Sequence, residues 1–204
     1  MNGNTRLSAE VIATEADQNW VIVGAGSSNS NNDGQITLPF QSGRTWYVCQ
    51  GYQGSVSHQN LFALDLSAAQ DFGASACYPV DGDNNKSNGQ QVFAPAAGKV
   101  VYVNTDFVCI LMASNRSFLI GHIKRTVSNG ATVSQGSLLG TVSPASGANG
   151  NFAHIHVEAR NSGSCSPNTS VPFTAAEGFQ FSGVGDLPDL SNSNDYFKRA
   201  LTRL

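Results

Sequence analysis

From Leu38 onwards, short apolar runs alternate with turn-forming clusters at intervals of about eight to twelve residues, the pattern of a sheet-rich fold. The best candidate strands are Thr45–Gln50, Leu61–Leu66, Gln91–Pro95, Lys99–Val103, Val108–Ala113, Ser117–His122, Ser137–Val142 and Ala153–Arg160. Polar loops separate them, notably Asp81–Gly89 and Ser143–Asn151. Upstream, Val11–Thr14 and Trp20–Val23 flank a polar turn and read as a hairpin. The Gly/Ser/Asn run Gly24–Gly34 has nothing to bury and reads as a flexible linker. At the other end, Asp195–Leu204 places Phe197, Leu201 and Leu204 at helical spacing, which predicts a short C-terminal helix. The expected organisation is a hairpin and linker over 1–34, a β domain over 35–190 and a helix over 191–204.

Composition narrows the class. Charged residues make up only 12% of the chain, about half the usual share. Solubility must therefore come from neutral polar side chains. A net charge of -3 leaves no electrostatic footprint for nucleic acid. No apolar run is long enough to cross a bilayer. The first residues, MNGNTRLSAE, lack a basic segment followed by an apolar one, so no signal peptide is expected within this sequence.

The chain has four histidines, His58, His122, His154 and His156, and their placement is informative. In Asn151–Arg160 the residues Ala153, Ile155, Val157 and Ala159 fall on one face of a strand, and Phe152, His154, His156 and Glu158 on the other. Both imidazoles then project from one side of a sheet, roughly 6.5–7 Å apart. One can bind a metal while its neighbour reaches water or substrate; two solvent-facing histidines on an edge strand are the plainer alternative. Asp65 shifts the balance. It interrupts Leu61–Leu66, a strand apolar on both faces, and a carboxylate there is costly unless a cation or hydrogen-bond donors receive it. No Lys or Arg lies nearby in sequence, whereas His58 lies seven positions upstream.

Two histidines and one carboxylate form a zinc site with an open fourth position, the arrangement of catalytic sites. Magnitudes favour metal chemistry. A positioned histidine alone supplies roughly 10²–10⁴ in rate, about 3–5 kcal/mol. Zinc can bring a bound water from a pKa of about 15.7 to about 7, on the order of 12 kcal/mol in hydroxide availability.

Cys49, Cys77, Cys109 and Cys165 are dispersed with no C-x-x-C pair, which argues against zinc knuckles and thioredoxin-like motifs. An even, dispersed set fits two disulfides in an oxidising compartment, with three pairings open. Cys49–Cys77 with Cys109–Cys165 is favoured because each closes a loop beside the candidate site.

Taken in order, SHQNLFALDLS, VFAPAAGKVVYV, LIGHIKRTVSNGATVSQGSLLGTV and HIHVE resemble the lysostaphin/LytM-type zinc endopeptidases of bacterial cell walls. The resemblance spans most of residues 38–160 and uses all four histidines. It implies a mainly β fold of compact antiparallel sheets around a narrow groove, a Zn²⁺ cofactor, and a peptidoglycan peptide as substrate. It also implies His58, Asp65 and His156 as zinc ligands, His154 as general base, and His122 as the residue that stabilises the oxyanion or positions water. Glu158 would orient His156 from behind, or pair with a cation at the surface. Tyr47, Tyr52 and Asn60 would line the groove. Many family members place the Asp four positions after the first histidine, whereas here the interval is seven. A secreted or periplasmic monomer is the implied setting. A catalytically inactive wall-binding or regulatory domain on the same scaffold is the alternative. The pair APAAGKVV and NGATVSQGSLLG also looks like biotinyl-carrier hairpins, but Lys124 is followed by Arg125 instead of the second hydrophobic residue a carrier needs.

Overall fold

The β-branched and aromatic runs become strands, and their pairing builds two antiparallel sheets. The structure is a computed structural model that describes residues 35–73, 77–103, 106–165, 169–190 and 195–204. The strands up to the middle of the chain are β1 (Thr45–Gln50), β2 (Ala63–Ser67), β3 (Gln91–Phe93), β4 (Gly98–Val103), β5 (Phe107–Leu111) and β6 (Ser117–Gly121). The rest are β7 (Ile123–Arg125), β8 (Thr132–Val133), β9 (Leu138–Val142), β10 (Ile155–Arg160), β11 (Ser170–Val171) and β12 (Ala200–Thr202). A nine-stranded sheet runs β12-β1-β2-β10-β6-β5-β4-β8, with β11 on β10, and a three-stranded sheet runs β3-β9-β7.

The central strands are covered on both faces: β2 and β6 are buried at every position, and β10 at every position but His156. Val48, Leu64, Leu66, Ile120, Ile155 and Val157 are fully buried in the main core. Each such side chain contributes roughly 1.5–3 kcal/mol through loss of apolar surface to water. Phe118 of β6 packs against Phe173 and Phe181, with the rings tilted or edge-on to one another. A second small cluster gathers Cys49, Ala69, Phe72, Cys77 and Phe152. The disulfides are Cys49–Cys77 and Cys109–Cys165, the pairing favoured from the sequence. Among the described residues, no helix is long and apolar enough to cross a membrane.

The C-terminus departs from expectation. In place of a helix, residues 195–198 form a turn and Ala200–Thr202 add strand β12 to the edge of β1, with Leu201 opposite Trp46. Leu201 is buried while Ala200 and Thr202 are exposed, a period of two, and Leu204 is left 78% exposed. Ten residues are too few to nucleate a helix without a buried apolar stripe, whereas an unpaired strand edge offers ladder bonds at once. The segment therefore belongs to the β domain and does not form a separate element after residue 190. Strands β7, β8 and β11 were not expected either; at two or three residues they carry too little alternation to read. The hairpin and linker expected over 1–34 lie outside the described residues.

Candidate metal centre

Asp65 and His156 meet because their strands are neighbours in register: His156 pairs with Asp65 across β10 and β2. His58 arrives from the β1–β2 connection, and Gln50 shapes that connection. The Gln50 amide oxygen accepts the Val56 and Ser57 backbone N–H groups. Its Nε2 donates to Ser57 Oγ and to Asp65 Oδ2, each at 2.8 Å. One buried amide thus folds the loop that carries His58 and orients the carboxylate it faces. Gly54 leaves room for it, since a Cβ there would lie 2.6 Å from Gln50 Cγ. The interval of seven residues between His58 and Asp65 is spanned by this loop.

The three donor atoms converge. His58 Nε2 lies 3.2 Å from Asp65 Oδ1 and 3.2 Å from His156 Nδ1, and His156 Nδ1 lies 3.0 Å from Asp65 Oδ1. Donors held about 2.0–2.1 Å from a tetrahedral zinc stand roughly 3.3 Å apart, so these spacings fit one ion. The second nitrogen of each imidazole is committed elsewhere. His58 Nδ1 lies 2.8 Å from Gly51 O, and His156 Nε2 lies 2.7 Å from Glu158 Oε1. Both partners are acceptors, so both nitrogens must carry the proton and, in the neutral rings, the inward nitrogens are bare lone pairs. Three proton acceptors therefore face one another in a buried spot, an arrangement that requires either a trapped proton or a cation. Among the described residues, His58, Asp65 and His156 form a group able to hold a metal ion.

Without an ion, a proton fills the gap. Burial disfavours charge on His156, but its hydrogen bonds to Asp65 and Glu158 outweigh that and raise its pKa to about 9. Burial likewise pushes the Asp65 carboxyl up, yet the charges and hydrogen bonds of the surrounding histidines hold it well below the usual carboxylate range. Glu158 is buried, and His156 and Arg160 keep it ionised against that burial. Arg160 Nε and one terminal nitrogen bind Glu158 Oε2 at 2.8 Å, and Arg160 also donates to the carbonyl of Cys165. Glu158 is thus buried against His156 and Arg160 and is not an exposed surface carboxylate.

The other two histidines border the same cavity, a space of about 420 Å³ that reaches Asp65 and His156. His154 Nδ1 lies 3.0 Å from Phe152 O, leaving Nε2 directed at Asp65 Oδ1 at 3.5 Å. His122 follows β6 at the point where the chain leaves the large sheet for β7 in the small one, with φ 63°. Its Nδ1 lies 2.7 Å from Asp106 Oδ2, and its ring is 4.6 Å from that of His154. Burial lowers the pKa of His122 despite the Asp106 bond, so it is neutral at pH 7.

The expected groove residues are elsewhere. Tyr52 is buried in the main core, where its hydroxyl donates to Leu187 O and accepts the Phe173 N–H. Tyr47 packs on the small cluster around Cys49 and Cys77. Asn60 occupies a turn at φ 63° and donates its backbone N–H to Gln53 Oε1. The cavity wall comes instead from Val56, Tyr78, Phe107 and Phe152, with Asn149 and Gly150 from the expected Ser143–Asn151 loop. The Asp81–Gly89 loop braces that wall from behind through Asn84 O to Ala153 N and Asn85 Oδ1 to Ala145 N. Sequence reasoning missed Gln50, Asp106 and Tyr78. Gln50 at least carried a signal, as an amide at the inward end of an apolar strand.

Fold and site together define a β-sheet protein with a His/Asp/His group able to hold a metal ion beneath an open cavity. The model of Peptidase family M23 matches residues 82–167. This match assigns that stretch to the family and bears out the resemblance to lysostaphin/LytM-type peptidases read from the sequence. His122, His154 and His156 fall inside it, and His58 and Asp65 precede it. Similar solved structures include the deep-sea M23 metalloprotease pseudoalterin, at 20% identity over 61% of this chain and 69% of that one, with a TM-score of 0.44. The catalytic domain of the antimicrobial peptidase lysostaphin from Staphylococcus simulans aligns at 15% identity over 63% of this chain and 86% of that one, TM-score 0.43. The lysostaphin solution structure aligns at 16% identity over 72% of this chain, TM-score 0.47, and this chain spans 57% of its length. No curated protein matches.

Proposed function

We propose that this protein is a zinc-dependent endopeptidase that hydrolyses peptide bonds in the stems or cross-bridges of peptidoglycan. The carrying observation is the meeting of His58 Nε2, Asp65 Oδ1 and His156 Nδ1, three acceptors within 3.2 Å of one another, beneath a cavity bordered by two further histidines. When bound, zinc supplies a Lewis acid that brings the pKa of a coordinated water to about 7.

The chain's own residues do the rest. His58, Asp65 and His156 hold the ion, and three protein donors leave one position for water or substrate. Glu158, fixed by Arg160, keeps the Nδ1 lone pair of His156 turned inward. His154 donates Nδ1–H to Phe152 O, so its Nε2, beside Asp65 Oδ1, carries the lone pair that would accept the proton of the attacking water and return it to the leaving amine. His122, on the same wall, positions that water or stabilises the developing oxyanion. The family match supports a peptide substrate. The two disulfides support an oxidising compartment, outside the cell or in the periplasm.

The test combines metal analysis with digestion of purified walls of two cross-link types, glycine bridges and direct D-alanyl–diamino acid links. One zinc per chain and peptide fragments that vanish in chelator are expected. Release that persists in chelator would overturn the metal assignment. Stoichiometric zinc with intact walls of both types would favour a wall-binding or regulatory domain.

A further inference from the structure

Asp106 precedes β5, and the β5–β6 ladder sets it opposite His122, because Phe107 pairs with Gly121 and the next step brings the two residues face to face. His122 is held there at some cost. A residue with a side chain at φ 63° sits in the left-handed region that glycine favours. The backbone around it is pinned: Ser143 N–H donates to His122 O, and Ile123 N–H to Asp106 O. Phe107 packs beside the imidazole, with ring centroids 5.6 Å apart. The carboxylate meets Nδ1 at 2.7 Å, a charge-assisted length, and both side chains are largely shielded, 13% and 22% exposed.

The geometry points to Asp106 as the positioning residue for His122, fixing its proton on Nδ1 so that a bare Nε2 faces the cavity. This rests on the peptidase reading and adds to it. A neutral His122 so fixed accepts a hydrogen bond from water at Nε2, and the Asp106 carboxylate stabilises the imidazolium once a proton is taken up. Of the two roles open to His122, Asp106 selects water positioning in the resting state and makes donation to an oxyanion available only after that uptake. The same logic governs a histidine backed by a buried aspartate in hydrolytic triads, where the carboxylate sets tautomer and orientation without itself becoming protonated.

The direct test is ¹⁵N NMR of the full chain, which reports which ring nitrogen carries the proton, run on zinc-loaded and chelator-treated protein. His122 signals are assigned by their loss in His122→Gln. Protonated Nδ1 and bare Nε2 are expected, with a shift of proton occupancy toward Nε2 in Asp106→Ala. A wild-type His122 protonated on Nε2 overturns the proposal whether or not any variant folds. In parallel, Asp106→Ala should keep zinc and KM within about twofold while kcat on a soluble cross-linked muropeptide falls about 10²–10³-fold. It should add little further loss in a His122→Gln background, since the two act as a unit. Unchanged kcat, or loss of zinc from Asp106→Ala, would also overturn it. A wild type that binds zinc but cleaves nothing would defeat the peptidase reading alone, because the proton's position on His122 would still be read.

Discussion

The floor and the rim of the cavity are built by different means. On the floor, Asp65 and His156 are cross-strand partners in β2 and β10, and each strand has a neighbour on both sides, β1 and β6. Asp65 and His156 are each fixed twice, by the ladder and by a side-chain hydrogen bond to Gln50 or Glu158, while His58 comes in from the β1–β2 connection and is held by Gly51 O. The rim comes from connections. Val56 and Tyr78 are about half exposed, and Ala148 and Asn149 lie in a single 3₁₀ turn that Gly150 caps. Binding an ion tolerates errors of a few tenths of an ångström at most, and a laddered sheet supplies that. Selecting a peptide needs surface that can vary, and loops supply that.

The sharpest break of this comparison comes from the floor. His156→Ala should lose nearly all bound zinc, while His154→Ala should retain it and lose about 10²–10⁴ in kcat; metal analysis beside peptide release separates the two. Equal zinc loss in both would erase the division of labour along β10.

Next in size is pH. The metal-free site holds a proton on His156, whose pKa is raised to about 9, and binding through Nδ1 must expel it. Zinc affinity should therefore fall about tenfold per pH unit below about 9, or roughly 100-fold from pH 8 to pH 6, as read by competition with a chromophoric chelator. The sign reverses for the metal-free fold. A raised histidine pKa stabilises it fully below about 6.5, the unfolded value, and this stabilisation is lost as pH rises through about 9. Thermal melts of the zinc-free chain should show that loss.

Glu158→Gln tests the support behind the floor. Zinc affinity should drop about 10–100-fold, measured by the same competition, with full loading at excess metal. The smallest effect should come from the rim: Tyr78→Ala should leave zinc binding untouched and change KM by a few-fold, about 1 kcal/mol of lost contact. A loss of zinc there would mean that rim and floor are not separate.

The floor was legible in the sequence and the rim was not, for one physical reason. His154 and His156 are two apart on a strand, so period two alone sends them to one face, and Asp65 stands out as a carboxylate in an apolar run. These are local signals. Which tyrosine borders a cavity depends on how connections fold back, and no local period encodes that. Tyr52 was expected in the groove and lies in the core because its hydroxyl finds both a donor and an acceptor there. Asp106 carried no signal in sequence, because its meaning comes from a cross-strand register sixteen residues long. The C-terminal helix failed likewise: three apolar residues at helical spacing could not compete with the open edge of β1.

Gly121 is paired with His156 on one side and Phe107 on the other. A Cβ there would stand 2.5 Å from the Phe107 ring and 3.3 Å from His156 Cβ. A single methyl would thus displace an aromatic wall and crowd a ligand in the same stroke. Any widening of this cavity would have to proceed from Val56 and Tyr78 inward and leave that glycine alone.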